Sequence, residues 1–142
     1  MSRVAVHAEA VSDAPPERVF AVLTDWPRHA EWMPFTRAEG GDKVGDELRA
    51  WTGAGPIGFL DTMVITEWRE GSRVAVHHTG RVVRGDAWFR VVPEGSGTRI
   101  VWAERVDLPL GLLGRAGWIV AGPVVKGFMT LGLRRLAALS EA

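Results

Sequence analysis

The sequence predicts an α+β domain in which a curved antiparallel sheet of about seven strands wraps around one long C-terminal helix. The segment from Arg115 to Leu139 carries its apolar residues at helical spacing, with charged residues on the other side. Most of the chain before it consists of short alternating segments separated by turn residues, a pattern typical of strands. Since a sheet and an amphipathic helix must each bury an apolar face, we expect them to pack against each other.

The elements follow in order from local signals. A first strand is predicted over 3–11, and the prolines and glutamate of Asp13-Ala-Pro-Pro-Glu17 then favour the start of a helix. Pro27 ends that helix, and a second short turn is predicted over 28–32. The six remaining strands are predicted over 36–40, 46–52, 59–68, 73–79, 82–92 and 98–106.

The C-terminal helix has two features that bear on its structure. Pro123 lacks an amide hydrogen and clashes with the carbonyl four residues earlier, so a kink or break is predicted over 119–122. Residues 116–133 are almost entirely apolar over about the length of a membrane span. Lys126 near the middle and the polar stripe favour a half-buried soluble helix instead, so no integral membrane segment is expected.

Composition limits the classes of function. The 142 residues are most simply one domain, 1–142, and 17 basic and 17 acidic side chains give a formal net charge of zero, which argues against a nucleic-acid partner. The N-terminal residues show no apolar signal segment, so a cytoplasmic location is the default expectation. With no Cys, no Tyr and serines only at termini or turns, the chain offers no placed nucleophile, and covalent catalysis is not expected.

No cofactor or metal site is expected from the motifs. The segment Gly53-Ala-Gly55-Pro-Ile-Gly58 matches G-x-G-x-x-G, but a strand-like segment follows it where a nucleotide site needs a helix. It is therefore interpreted as a loop between strands. His77 and His78 are adjacent in a predicted strand, so they point to opposite faces and cannot share one metal ion.

A few titratable residues are candidates for chemistry. In the strand over 98–106 the even-numbered residues are more apolar than the odd-numbered ones, so they are expected to face the helix. Glu104 belongs to this set, and a carboxylate in such a position needs a partner. Arg49 and whichever of His77 and His78 faces inward are the candidate partners. Asp61 faces inward in one register of its strand and outward in the other. If the protein is an enzyme, the catalytic candidates are Glu104, His78, Asp61 and Arg49, acting by acid–base chemistry.

The order of elements and several local motifs resemble the SRPBCC group, the START-like and birch-pollen-allergen-like superfamily, and within it the polyketide cyclase/dehydrase-like branch. The motifs that carry this resemblance are Asp13-Ala-Pro-Pro-Glu17-Arg-Val-Phe20, Thr24-Asp-Trp26, Glu31-Trp-Met-Pro34, Gly97-Thr-Arg99 with Trp102 and Glu104 in the following strand, and Leu133-Arg-Arg-Leu-Ala137. The resemblance covers nearly the whole chain. It implies a helix-grip fold with a cavity between the sheet and the C-terminal helix that takes an apolar ligand.

Large aromatic and inward-facing residues are the candidate lining of that cavity. The predicted ligand-binding residues are Trp51, Phe59, His78, Phe89, Trp102, Glu104, Trp118, Val125 and Phe128. By contrast, Trp68 and Trp88 are expected on the outer face, where an apolar patch would favour a homodimer.

Three functions remain open from the sequence. The first is binding of a small hydrophobic or aromatic molecule. The second is a polyketide cyclase/aromatase-like enzyme that uses polar residues of the cavity. The third is an interaction module whose cavity is filled by its own side chains.

Overall fold

A single antiparallel sheet of seven strands, in the order β1-β7-β6-β5-β4-β3-β2, forms most of the computed structural model, which describes residues 2–108 and 111–142. The strands β2 to β7 form a meander, and β1 joins the end of that meander by pairing with β7. The predicted helix-grip fold is confirmed, with the long helix after the last strand and two short helices after the first. The elements are β1 (Ser2–Ser12), α1 (Pro16–Leu23), a 3₁₀ helix (Trp26–Glu31), β2 (Thr36–Gly40), β3 (Glu47–Ala54), β4 (Ile57–Arg69), β5 (Arg73–Thr79), β6 (Arg84–Glu94), β7 (Gly97–Leu108) and α2 (Gly111–Glu141).

Helix α2 is continuous through Pro123, so of the kink or break predicted over 119–122 the break does not occur. Pro123 and Ile119 both lie on the exposed side of the helix. The carbonyl of Ile119, which loses its hydrogen bond to position 123, can therefore be solvated by water. On the buried side, Gly122 packs against the indole of Trp118.

The C-terminal half of α2 is packed tightly against the rest of the domain. Met129, Leu133 and Leu136 are almost completely buried. The absence of a side chain at Gly132 is what allows Met33 to approach, because a Cβ at this position would lie 2.8 Å from the Met33 sulfur. Side chains therefore fill the space between this half of the helix and the sheet.

A β-bulge in β4 changes which residues face the core. The register with β5 shifts between Ile65 and Glu67, so Ile65 faces inward before the bulge and Trp68 faces inward after it. The prediction that Trp68 lies on the outer face is therefore wrong. Its ring packs edge-on against Phe20, with centroids 5.4 Å apart, and against Trp26, at 6.5 Å.

Trp88 does lie on the outer face, as predicted from the alternation of β6. The guanidinium groups of Arg73 and Arg105 lie 5.5 and 5.7 Å from its ring centre. These cations cover the indole of Trp88, and Trp68 faces the core. Trp68 and Trp88 therefore do not form the apolar surface patch that would have favoured a homodimer.

The Gly53–Gly58 segment forms the tip of the β3–β4 hairpin. The strands end at Ala54 and resume at Ile57, and Gly55 begins the two-residue loop with a φ of 60°. Since a strand follows this loop, it lacks the helix N-terminus on which a nucleotide phosphate would bind.

Candidate functional site

A cavity of about 120 Å³ lies on the concave face of the sheet, beneath the segment that contains the 3₁₀ helix. Every strand from β2 to β7 contributes to its walls, which are mostly apolar. The lining residues are Trp26, His29, Met33, Thr36, Ala38, Leu48, Arg49, Ala50, Thr52, Asp61, Met63, Val74, Val76, His78, Ala87, Phe89, Trp102 and Glu104.

This position differs from the predicted one between the sheet and α2, because α2 does not contribute to the lining. Val125 and Phe128 pack against the apolar core, and Trp118 packs against Gly122 of its own helix. The fully buried Trp32 lies between α2 and the cavity: its ring approaches Gly132 on one side and meets Phe89 and Trp102 on the other. The three residues predicted from α2 are therefore outside the cavity.

Two aromatic rings form one wall. Phe89 and Trp102 are stacked with their ring centroids 4.8 Å apart and their planes inclined by 25°. Trp32 meets both edge-on from behind, at 6.1 and 6.4 Å. Pairs of this kind are stabilising beyond the area they bury, and this wall offers an aromatic surface to a flat ligand.

A polar cluster formed by Asp61, His78 and Glu104 interrupts the otherwise apolar lining. His78 Nδ1 lies 2.8 Å from Asp61 Oδ1, and His78 Nε2 lies 3.0 Å from Glu104 Oε2. The His78 side chain is only 3% exposed, and the carboxylates are 16% and 15% exposed. All three residues are candidates from the sequence, but their hydrogen bonds to one another were not predicted as a set.

Strand alternation brings the cluster together. Val74, Val76 and His78 share the inward face of β5, which resolves which of the two histidines faces the cavity. His77 points to the outer face, where its Nδ1 lies 2.8 Å from Asp86. Glu104 lies on the inward face of β7, as predicted because the even-numbered residues of that strand are the more apolar ones.

His78 is held in its charged form. Burial alone lowers the pKa of His78, but hydrogen bonds with Asp61 and Glu104, together with their negative charges, outweigh it and raise this pKa from 6.5 to about 10. A neutral imidazole could donate to only one carboxylate, whereas an imidazolium donates to both. His78 is therefore a poor general base at neutral pH, and the cluster of two carboxylates and one imidazolium has one negative charge in excess.

The raised pKa predicts how stability depends on pH. Because the folded-state pKa of His78 exceeds the unfolded one, its contribution is complete below about pH 6.5 and is lost as the pH rises towards 10. The chain has no Cys and no Tyr, so few other groups titrate in this window. The free energy of unfolding measured with urea should decline between pH 6 and 10 in the wild type. This decline should be much smaller in His78→Leu, and His77→Leu should behave like the wild type. An NMR titration in which the His78 ring changes charge near pH 6.5 would contradict this assignment.

His29 is a site residue that sequence reasoning missed. It lines the cavity, and its ring packs edge-on against Trp32 at a centroid distance of 4.4 Å. Burial lowers the pKa of His29 to about 4, so it is neutral at pH 7. The only available signal was its place in the short turn predicted over 28–32, because a single turn has no periodicity that shows which way a side chain points.

The remaining candidates lie at the margin of the cavity or outside it. Arg49 contributes to the lining, but its nearest carboxylate is that of Glu47 at 3.8 Å, not Glu104. Trp51 lies on the opposite face of β3 from Ala50, which lines the cavity, so its expected position was wrong. Phe59 shares the face of Asp61 but lies nearer the hairpin tip and does not contact the cavity.

The polar atoms of the site suit an uncharged polar group better than a metal ion. In the part of the chain that the structure describes, no group of His, Asp and Glu is arranged to hold a metal. Both ring nitrogens of His78 are already engaged by carboxylates. The indole N–H of Trp102 and Nδ1 of His29 are buried without a hydrogen-bond partner in residues 2–108 and 111–142, and both residues line the cavity. Buried polar atoms without a partner are unusual in a folded protein unless a ligand or a water molecule supplies the missing hydrogen bond.

The fold and the site define a helix-grip protein with a small, largely apolar cavity that contains a carboxylate–imidazolium–carboxylate cluster. The chain belongs to the family described as "Polyketide cyclase / dehydrase and lipid transport", whose sequence profile matches residues 3–141. This confirms the resemblance that the motifs indicated. No curated protein sequence matches the chain.

Solved structures share the fold at low sequence identity. A protein from Thermus thermophilus is 21% identical with a TM-score of 0.78, and the match covers 96% of this chain and 97% of that one. The Zhui aromatase/cyclase from a Streptomyces species is 15% identical with a TM-score of 0.80, covering 99% and 94%. Ara h 8.0201 is 13% identical with a TM-score of 0.66, covering 98% of both chains. At these identities the similarity shows the fold alone.

Proposed function

We propose that the protein binds a small molecule with one aromatic ring and a hydroxyl group in the cavity. The observation that carries this proposal is the Asp61–His78–Glu104 cluster set into apolar walls, with the stacked Phe89 and Trp102 forming one of them. Ligand sites commonly have this composition, in which apolar surface supplies affinity and a few polar groups fix orientation.

The size of the cavity limits the ligand. An apolar cavity of about 150 Å³ in another protein takes up benzene, and this one has a volume of about 120 Å³. A single ring is therefore the appropriate scale, and a molecule of several fused rings would require side chains to move. Trp32, Phe89 and Trp102 occupy much of the remaining interior.

The charge of the cluster selects the polar end of the ligand. Each carboxylate uses one oxygen for His78, and the second oxygens, Oδ2 of Asp61 and Oε1 of Glu104, have no side-chain or backbone donor within the described residues. A ligand hydroxyl can donate to one of these oxygens, whereas a ligand carboxylate would be repelled by the excess negative charge. Phenol is therefore a suitable probe, with benzene and benzoate as its matched comparisons.

The binding experiment is a calorimetric and thermal titration with the three probes. A hydrogen bond to a charged acceptor contributes about 1.5–3 kcal/mol, so phenol should bind at least ~10-fold more tightly than benzene, and benzoate should bind most weakly. Phenol at ten times its Kd should raise Tm by about 3–6 °C. Glu104→Gln should reduce the preference for phenol, whereas Glu94→Gln at the exposed end of β6 should not. If none of the probes binds at its highest soluble concentration, the proposal is wrong.

A cyclase-type reaction is the second candidate, and the carboxylate oxygens at the cavity surface are the observation that favours it. Such a reaction would use Glu104 or Asp61 as a base, because His78 is held in its charged form. The family description and the aromatase/cyclase neighbour are consistent with this chemistry. The cavity volume of about 120 Å³ suits a single ring, and this favours simple ligand binding over a cyclase reaction. If a substrate is found, a catalytic Glu104 would require that Glu104→Gln retain binding while turnover falls by roughly 100-fold or more.

A further inference from the structure

The outer face of the first half of α2 is an exposed apolar surface, and the cavity does not use it. Leu112, Leu113, Ile119, Val120 and Val124 are each between 70% and 86% exposed. Contiguous apolar surfaces of this kind are uncommon on soluble proteins and mark sites of interaction. We call these five residues the α2 patch.

Helical geometry explains why the patch is continuous. At 100° per residue, its five side chains lie on the side of α2 opposite Trp118, Gly122 and Val125, which face the sheet. The exposed residues between them, Ala116 and Gly127, are small and uncharged. From Leu112 to Val124 the patch extends for roughly 18 Å along the helix.

The charged residues that α2 itself places beside the patch are positive. Arg115 and Lys126 flank it, and Arg134 and Arg135 follow in the next turns, whereas Glu141 at the end is the one acidic residue of α2. Lys126 Nζ donates a hydrogen bond to the carbonyl of His7 at 2.6 Å. An apolar helix face edged by cations is the pattern of helices that lie in the interface of an anionic bilayer.

We propose that the α2 patch docks the protein reversibly on the surface of a membrane that contains anionic lipids. The patch would enter the boundary between headgroups and acyl chains, and Arg115 and Lys126 would lie among the lipid phosphates. The cations oppose the main alternative, a helix pair between two copies of the chain. An antiparallel pair centred near Val120 would place Arg115 of each copy beside Lys126 of the other, with no carboxylate nearby on α2.

The packing of α2 also favours surface docking over a membrane span. By length and composition α2 could cross a bilayer, but its C-terminal half forms the core through Met129, Leu133 and Leu136. A span would require this half to leave the domain. The exposed half alone, from Gly111 to about Gly127, is shorter than the ~20 residues that a span needs.

The test is flotation of the full chain with vesicles of phosphatidylcholine alone or mixed equally with phosphatidylglycerol. We expect binding to the anionic vesicles that is at least ~10-fold stronger than to the neutral ones and that weakens with salt. Val120→Asp should abolish it and leave Tm unchanged, because Val120 is exposed. Ile57→Asp is the matched control, since Ile57 is 79% exposed in the β3–β4 hairpin and should be neutral.

Several outcomes would overturn the proposal. Absence of vesicle binding, or equal binding to both compositions, would remove the role of the cations. Self-association in analytical ultracentrifugation that Val120→Asp abolishes, without vesicle binding, would assign the patch to a second copy. Protein that stays with the vesicles at alkaline pH and high salt would indicate insertion. The proposal does not depend on the ligand of the cavity, so failure of phenol binding would leave it unaffected.

Discussion

Replacing His78 with leucine should lower the free energy of unfolding by about 3–5 kcal/mol, because it removes the buried cation that pairs with the two partly exposed carboxylates of Asp61 and Glu104. For a domain of this size such a loss corresponds to a fall in Tm of roughly 10 °C or more. His77→Leu is the matched control: His77 is the adjacent residue of the same strand, and its pair with Asp86 is about half exposed on both sides. That substitution should change stability by less than about 1 kcal/mol.

A rescue variant separates the charge imbalance from simple loss of packing. In a background that carries Asp61→Asn and Glu104→Gln, the His78→Leu substitution should cost much less than it does alone, since no uncompensated negative charge remains. Urea denaturation of the four proteins gives this coupling directly. An equally large cost in both backgrounds would mean that His78 acts through packing, and that the carboxylates are not its partners in solution.

Replacing Ala87 with leucine should abolish binding of small aromatic molecules, with a loss of at least ~10-fold in affinity for phenol. Ala87 is 3% exposed and lines the cavity beside Glu104 and Val76, its cross-strand neighbours. Three additional carbons at this position occupy the space of the ligand. Inserting extra carbons into a packed interior typically costs about 1–3 kcal/mol, so the variant should still fold.

Ala75→Leu provides the control for size and strand position. Ala75 lies on β5 and faces the outer side, opposite Trp88 and Glu67. The Ala75→Leu substitution should leave the affinity for phenol unchanged. If Ala87→Leu binds phenol as tightly as the wild type, the ligand site lies elsewhere in the molecule.

The sequence predicts the sheet well where alternation is regular. On β6 and β7 the inward residues, including Phe89, Trp102 and Glu104, could be predicted because neither strand contains a bulge, so inward and outward positions alternate along their whole length. On β4 the bulge after Ile65 moves Trp68 to the inner face, and nothing in the local pattern marks the extra residue.

The position of the cavity could not be predicted from the sequence. The resemblance implied a space against α2, but Trp32, Met33 and the core residues of that helix fill it. The space that remains lies nearer the 3₁₀ helix, whose single turns carry no periodicity, and this is why His29 was missed. Likewise, the partner of Glu104 depends on which side chains meet across β5 and β6, which alternation alone does not specify.

The most direct test of the binding proposal is an NMR titration of the wild-type protein with phenol, observing methyl groups labelled with ¹³C. We expect saturable shifts at the methyls of Ala87 and Val76, which line the cavity, with the methyls of Val44 and Leu112 unaffected because both are exposed to solvent. Absence of any saturable shift, or shifts confined to exposed methyls, would contradict the proposal that the cavity is a binding site.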